Sequence, residues 1–323
     1  MKVFNIFANR KYIRFLSALG VRSIDVYCTN KEVVPMFIYR LGRLPFSVGK
    51  IYGNHNDLDL DYLESVMKST KISYLYYQPF IKRGNGSEKM VKKYLNRGFE
   101  YVKNPRYPTK TLFLNKNLYT QAVKSGAIIR NLKKSIDSED LRIIYKKSNS
   151  LSQEDKKNFF NLANKFQSTK SLEQTSHAWQ EEFWNSFGKN CELVFVFYKG
   201  KPIHVYQFLV FGNDVISYKS FSTKISNKLS ITTRVITDFL RRRNNFRFDF
   251  FGIADERYPD QYSWKNFTEY KNGFFAHPEK HALYYMQPLV WKSKQAKILI
   301  FLRKLFKRPK EVPGLYYEEL FDF

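Results

Sequence analysis

Phe246-Arg247-Phe248-Asp249-Phe250-Phe251-Gly252-Ile253 is the stretch whose reading decides the fold. It is an apolar, aromatic run of the kind that forms a buried strand, bounded by a glycine at its exit. In its middle stands a carboxylate, Asp249. Burying a carboxylate among aromatic rings is costly unless a partner is supplied, so the chemistry of the chain is expected here. A short acidic loop with Asp255 and Glu256 follows. Then come Trp264-Lys265-Asn266-Phe267 and Tyr270-Lys271-Asn272-Gly273-Phe274. The expectation is that the Asp249 strand and the Lys271 turn form one wall of a reactive site.

Upstream of this strand, apolar spacing predicts a helix from about Ser230 to Arg243. Before it come three strands, Glu192–Tyr198, His204–Phe211 and Val215–Ser222, with Gly200 and Gly212-Asn213-Asp214 as hairpin turns. Earlier still are a helix at about Glu173–Phe187, a helix to about Phe166 opened by Ser152 and Asp155 in a capping box, and a strand at Leu141–Tyr145. Downstream, a short helix at Lys265–Lys271 and a strand at Ala282–Met286 complete a mixed α/β sheet. The first half carries similar content: strands at Val33–Tyr39, Ile72–Tyr77 and Thr111–Leu114, a strand end at Ile51-Tyr52-Gly53-Asn54, and helices at Leu60–Lys68, Met90–Asn96 and Leu118–Ser135. Trp291–Lys310 reads as a basic amphipathic helix, suited to an anionic membrane surface or to packing on its own domain with its charges in solvent.

The chain has 323 residues, long for one core and suited to two domains. The division expected is 1–140, 141–290 and a helical tail 291–323. Lys+Arg number 55 against 29 Asp+Glu, a net charge of +26 that favours polyanions such as tRNA, phosphorylated substrates and anionic lipid. Cys28 and Cys191 lack metal-ligand spacing and fit a reducing cytosol. The N-terminal residues lack the apolar core of a signal peptide, and no apolar run reaches the ~18 residues of a membrane span. His177 and His204 have no partner for a metal or a nucleophile and read as structural.

Order and motifs together resemble the GNAT acyltransferase fold and, more closely, the tandem-GNAT Fem family of aminoacyltransferases. Tyr52-Gly53-Asn54 is similar to that family's Tyr-Gly-Pro turn, and Gln78-Pro79 to its strand-ending proline. Gly98-Phe99 followed by Pro108-Thr109-Lys110-Thr111-Leu112 resembles the lead-in to its Thr-rich strand. Arg130-Asn131-Leu132-Lys133-Lys134 is similar to its Arg-x-Ile-Arg-Lys helix, Phe248–Ile253 to its Tyr-Asp-x-Gly-Gly strand, and Tyr270–Phe274 to its Phe-Lys-x-Gly-Phe element. Two departures stand out. Phe251 replaces the first glycine of the strand motif and would narrow a groove there. Thr223–Ser230 lacks the glycines with which the acyl-CoA branch of the fold cradles pyrophosphate.

The resemblance implies two tandem GNAT-like domains with mixed sheets and no tightly bound cofactor. It implies transfer of an aminoacyl group from aminoacyl-tRNA to an amine of a peptidoglycan or other cell-envelope precursor, in the cytoplasm or at the inner face of the membrane. An N-acyltransferase using acyl-CoA on an amino sugar is the alternative donor reading. A non-catalytic basic protein that binds RNA or a membrane surface is the alternative of another class. Acyl transfer requires a deprotonated amine and stabilisation of a developing oxyanion. Lys271, Asp249 and Glu256 are the catalytic candidates. Arg130, Lys133, Lys134, Tyr218, Lys219 and Tyr270 are the substrate-binding candidates. No metal is expected.

Overall fold

The computed structural model describes residues 6–40, 47–53, 57–103, 105, 108–136, 140–170, 174–258 and 265–298. Thirteen strands form two sheets among them. They are β1 (Arg22–Tyr27), β2 (Val33–Arg40), β3 (Ser47–Gly53), β4 (Ile72–Pro79), β5 (Phe99–Tyr101), β6 (Lys110–Asn115), β7 (Leu141–Lys147), β8 (Cys191–Tyr198), β9 (Lys201–Phe211), β10 (Asp214–Ser222), β11 (Arg247–Asp249), β12 (Ala282–Tyr284) and β13 (Leu289–Lys292). One sheet has the order β1-β2-β3-β4-β13-β5 and the other β12-β6-β11-β10-β9-β8-β7.

Each sheet belongs to one of two compact units. The first comprises residues 1–110, 255–261 and 284–323, and the second comprises 111–254 and 262–283. The expected boundary after residue 140 is therefore corrected. β6 and the helices Lys116–Ala122 and Gly126–Ile136 belong to the second unit, because Leu112, Leu114, Tyr119 and Ile128 are buried in its core beside Val235, Phe239 and Phe248. Conversely β13, at the end of the described chain, pairs antiparallel with β4 and β5 of the first sheet.

Both units repeat one plan. An antiparallel meander leads through a helical connection into a parallel strand. In the first unit β3 runs through the helix Leu60–Ser69 to β4. In the second, β10 runs through the helices Lys224–Lys228 and Ile231–Arg241 to β11. The local signals behave as the residues dictate. Ser152 Oγ accepts from Asp155 N and the Asp155 carboxylate accepts from Ser152 N, closing the capping box of the helix Gln153–Thr169. Lys199 and Gly200 both take positive φ, the conformation a two-residue hairpin between β8 and β9 needs.

Several expected elements differ at their ends, as the helix Asn85–Asn96 and the strand Ala282–Tyr284 do, and three differ more deeply. The helix at 118–135 is two helices parted at residues 123–125. The strand at 246–253 is only three residues long. Trp291 lies in β13 rather than opening a helix: it pairs with Leu75 on one side and Phe99 on the other. The basic tail from Leu299 onward, with Asn54, Glu173 and Trp264, lies outside the described residues. Among the described residues no helix is long and apolar enough to cross a membrane.

Candidate active site

The two parallel pairs differ in one decisive respect. β3 and β4 stay paired over seven residue pairs, from Ser47↔Ile72 to Gly53↔Pro79. β10 and β11 pair over only three, Asp214↔Arg247, Val215↔Phe248 and Ile216↔Asp249. β11 continues instead along β6: Phe250 N donates to Leu112 O at 3.1 Å and Gly252 N donates to Thr111 Oγ1 at 3.1 Å. β10 thus parts from β11 just past Asp249, and its segment Ser217–Ser222 has no ladder bond from β11. β10 is also bulged toward β9 between Ser217 and Lys219, leaving Tyr218 as the extra residue. A bulge bends its strand and re-aims the side chain it carries. The second unit therefore has an opening in its sheet between the Tyr218 segment and the residues after Asp249.

Asp249 and Lys271 both act on the loop that forms the far side of this opening. Asp249 is buried, and its Oδ1 accepts from Thr111 Oγ1 at 2.5 Å and from Phe251 N at 2.8 Å. Lys271, on the helix Lys265–Asn272, donates through Nζ to Phe250 O at 2.7 Å and to Gly252 O at 2.5 Å. Its ammonium also lies 4.8 Å from the centre of the Phe267 ring. Burial pushes the Asp249 carboxyl above its ordinary range. Thr111, the Phe251 N–H and the positive charges of Lys271 and Arg247 act against that rise. Burial lowers the Lys271 ammonium to about 8, with Asp249 opposing the shift. An ammonium has three N–H donors, so two bonds to carbonyls leave Lys271 one for a substrate oxygen.

Those bonds hold a strained residue. Phe251 has φ +54° and Gly252 has φ +96°. The left-handed region suits glycine and costs another residue about 1–2 kcal/mol. Bonds at Asp249, Thr111 and Lys271 on either side of Phe251 offset that cost. The Phe251 ring reaches across the opening to within 5.8 Å of the Tyr218 ring, which is itself stacked on Phe183 at 4.8 Å.

The remaining expected residues fall elsewhere. Lys219 is partly buried on the other wall of β10. Its Nζ sits 4.3 Å from the Trp179 ring centre and donates to Gln180 Oε1 at 3.4 Å, and burial lowers it to about 8. Arg130, Lys133 and Lys134 lie exposed on the helix Gly126–Ile136, away from the loop after Asp249 in sequence and in element.

Two expectations are corrected. Tyr270 packs against the core of the second unit, edge-on to Phe274 at 5.7 Å with its hydroxyl buried, because its aromatic ring gains more from that apolar contact than from solvent. Glu256 belongs to the first unit, where it accepts from Lys110 Nζ at 2.7 Å and from the Tyr284 hydroxyl. Burial works to raise its carboxyl, but those bonds prevail and bring it down to about 2, too weak for a general base. Its neighbour Asp255 is fixed by Thr109 Oγ1 at 2.7 Å and the Arg257 guanidinium at 2.6 Å.

His204 is wholly buried, with Nδ1 3.0 Å from Ser226 Oγ, and His177 stacks on Phe160 at 3.6 Å. No acid, histidine or cysteine cluster able to hold a metal occurs among the described residues. Thr111 is the residue the sequence reading passed over. Its signal was the Thr-rich stretch 108–112, whose hydroxyl spacing does not say which carboxylate it will meet.

No family model and no curated protein matches the sequence. Solved structures do match the fold. FemX superposes with a TM-score of 0.69 at 11% identity, over 93% of this chain and 94% of that one. L-PGS from Bacillus licheniformis gives 0.59 at 8% identity, over 94% and 98%. A tandem GNAT protein from the clavulanic acid biosynthesis pathway gives 0.52 at 7% identity, over 84% and 83%. At these identities the likeness is one of fold: the chain has the tandem GNAT fold and is similar in architecture to FemX.

Proposed function

We propose that the protein is an acyltransferase, and that it moves an aminoacyl group from aminoacyl-tRNA to an amine of a cell-envelope precursor. The observation that carries this reading is the parting of β10 from β11 directly beside Asp249 and Lys271. An extended reactant would lie along the separated strands, with its carbonyl beside a partly desolvated ammonium. The amine nitrogen bonds to the ester carbonyl carbon, the bond to the ribose oxygen breaks, and the amine proton ends on that leaving oxygen. No covalent enzyme intermediate is needed. The remaining N–H of Lys271 faces the oxyanion as it develops, where charge is worth most in a water-poor site. Asp249 is a positioning residue that holds Thr111, the loop and the lysine in register.

The donor is inferred from the segment after β10. Residues 224–228 form a short helix capped by the Thr223 side chain, which accepts from Ser226 N. That leaves no glycine-lined cradle for a pyrophosphate of coenzyme A. Arg130, Lys133 and Lys134 form an exposed basic surface that suits tRNA phosphate or a phosphorylated precursor. One observation favours acyl-CoA as a second reading. The helix Ile231–Arg241 begins at Ser230 without a side-chain cap, so no Ser230 side chain competes with an anion for the N–H groups of Ile231 and Thr232, which precede the first helical bond, Thr233 N to Ser230 O at 3.1 Å.

Donor exchange tests both readings. The protein is incubated with radiolabelled mixed aminoacyl-tRNAs or radiolabelled acetyl-CoA, together with a nucleotide-linked muropeptide bearing a free amine, or glucosamine. Label passing from tRNA to the amine is the expected result. Label passing from acetyl-CoA instead selects the second reading, and transfer from neither refutes both.

A further inference from the structure

Phe251 is the one residue at the opening that the backbone disfavours. It holds φ +54° where glycine would carry no penalty, and bonds from its own N–H and at both flanking carbonyls keep it there. Strain retained at a site by surrounding hydrogen bonds points to a use for the side chain. The use is legible in where the ring goes. Past Ile216↔Asp249 the strands separate, and the Phe251 and Tyr218 rings, 5.8 Å apart, stand on the two sides of that separation. Tyr218 is aimed there by the β-bulge and backed by Phe183, stacked at 4.8 Å with its plane turned by only 5°. Phe183 is in turn stacked on Phe187 at 4.3 Å. The Tyr218 side is a supported aromatic wall rather than a loose ring, so widening the opening requires moving Phe251.

We propose that Phe251 is the specificity-determining residue of this opening: with Tyr218 it limits the transferred acyl group to small ones, such as glycyl, alanyl or acetyl, and rejects branched or aromatic ones. This rests on the acyltransferase reading above. Loss of the ring opens the space between the strands without touching Asp249, Thr111 or Lys271, so the reacting groups stay in place while the size limit goes.

The test compares wild type with Phe251→Gly and Phe251→Ala. Donors are glycyl-, alanyl-, leucyl- and phenylalanyl-tRNA, and acetyl-, butyryl- and hexanoyl-CoA, with the muropeptide or glucosamine as acceptor. Wild type is expected to use the small donors. In both variants the rate ratio of large to small donors should rise about 10-fold or more, the usual scale of steric discrimination in an apolar pocket. The Gly variant should also melt a few degrees above the Ala variant, since alanine keeps the left-handed penalty and glycine does not.

If neither variant folds, Phe251→Leu, which keeps apolar bulk but not the ring's reach, is measured for the same ratio. A ratio within about twofold of wild type in a folded variant overturns the proposal and leaves acyl transfer standing. Absence of transfer by wild type from every donor overturns the acyltransferase reading and this proposal together.

Discussion

Replacing Thr111 with valine keeps the shape of the side chain and removes its hydroxyl. The residue is 1% exposed, and that hydroxyl makes two bonds, donating to Asp249 Oδ1 at 2.5 Å and accepting from Gly252 N at 3.1 Å. A bond to a charged group contributes about 1.5–3 kcal/mol, and a buried N–H left unsatisfied costs about 1–3 kcal/mol. Thr111→Val is therefore expected to destabilise the second unit by about 3–5 kcal/mol, a large part of the ~5–15 kcal/mol that holds a domain together. Thr111→Ser is the control. It keeps the hydroxyl and loses one methyl, at a cost of about 1 kcal/mol. Urea unfolding followed by tryptophan fluorescence reads the difference, since Trp179 and Trp184 both lie in the second unit. The activity of Thr111→Val should fall with it, because Asp249 and the loop around Phe251 lose their shared anchor. A valine variant as stable as the serine variant would show that the Asp249–Thr111–Gly252 network does not hold the loop.

Lys271→Met should lower the acyl-transfer rate about 10-fold or more with little change in donor affinity, as expected of a group that acts on the oxyanion. In wild type the rate should fall as pH rises through about 8, where Lys271 loses its proton, and Lys271→Arg should lack that falling limb. The same group shapes stability. From about 8 to its ordinary 10.5 the unfolded chain binds a proton that the folded chain does not, so stability rises with pH across that window. The rise attributable to Lys271, at most about 3–4 kcal/mol over that window at 1.36 kcal/mol per pH unit, should vanish in Lys271→Met. Lys219, also lowered to about 8, contributes a similar slope that remains. His204 acts at the acid end. Burial lowers its imidazole to about 3, so the unfolded chain takes up a proton below about 6.5 that the folded chain refuses, and stability falls with pH from there. A conservative His204→Gln variant should show a shallower acid loss in the same urea titrations.

Local physics made much of this molecule legible. The meander β8–β10 follows from alternation and glycine turns, and the helix Gln153–Thr169 from its capping box. What escaped depends on partners distant in sequence. Val290 and Trp291 form a strand only because β4 and β5 lie on either side, and nothing in residues 289–292 records Tyr76 or Glu100. The helices Lys116–Ala122 and Gly126–Ile136 read as one because Tyr119, Ala122 and Ile128 all enter the same core, and Gly126 was the one sign of a break. At the site the sequence marked Asp249, Lys271 and Phe251. It did not show that the Asp249 carboxylate would take the Phe251 N–H and end the strand, since the apolar run continues unbroken to Ile253. Thr111 was out of reach for the same reason: its bond to Asp249 closes a loop of 138 residues.

The most direct test of the account places a thiol at the opening. Both native cysteines, Cys28 and Cys191, are buried, so an added cysteine can be read against a low background. Tyr218→Cys and Ser69→Cys, the latter an exposed site of the first unit, are treated with bromoacetyl-CoA and with N-bromoacetyl-aminoacyl-tRNA, and alkylation is followed by mass spectrometry. If acyl groups are transferred between β10 and the Phe250–Gly252 loop, one of these donors should alkylate residue 218 far faster than residue 69, and unlabelled donor should protect it. Equal alkylation at the two sites, unaffected by donor, would contradict the account.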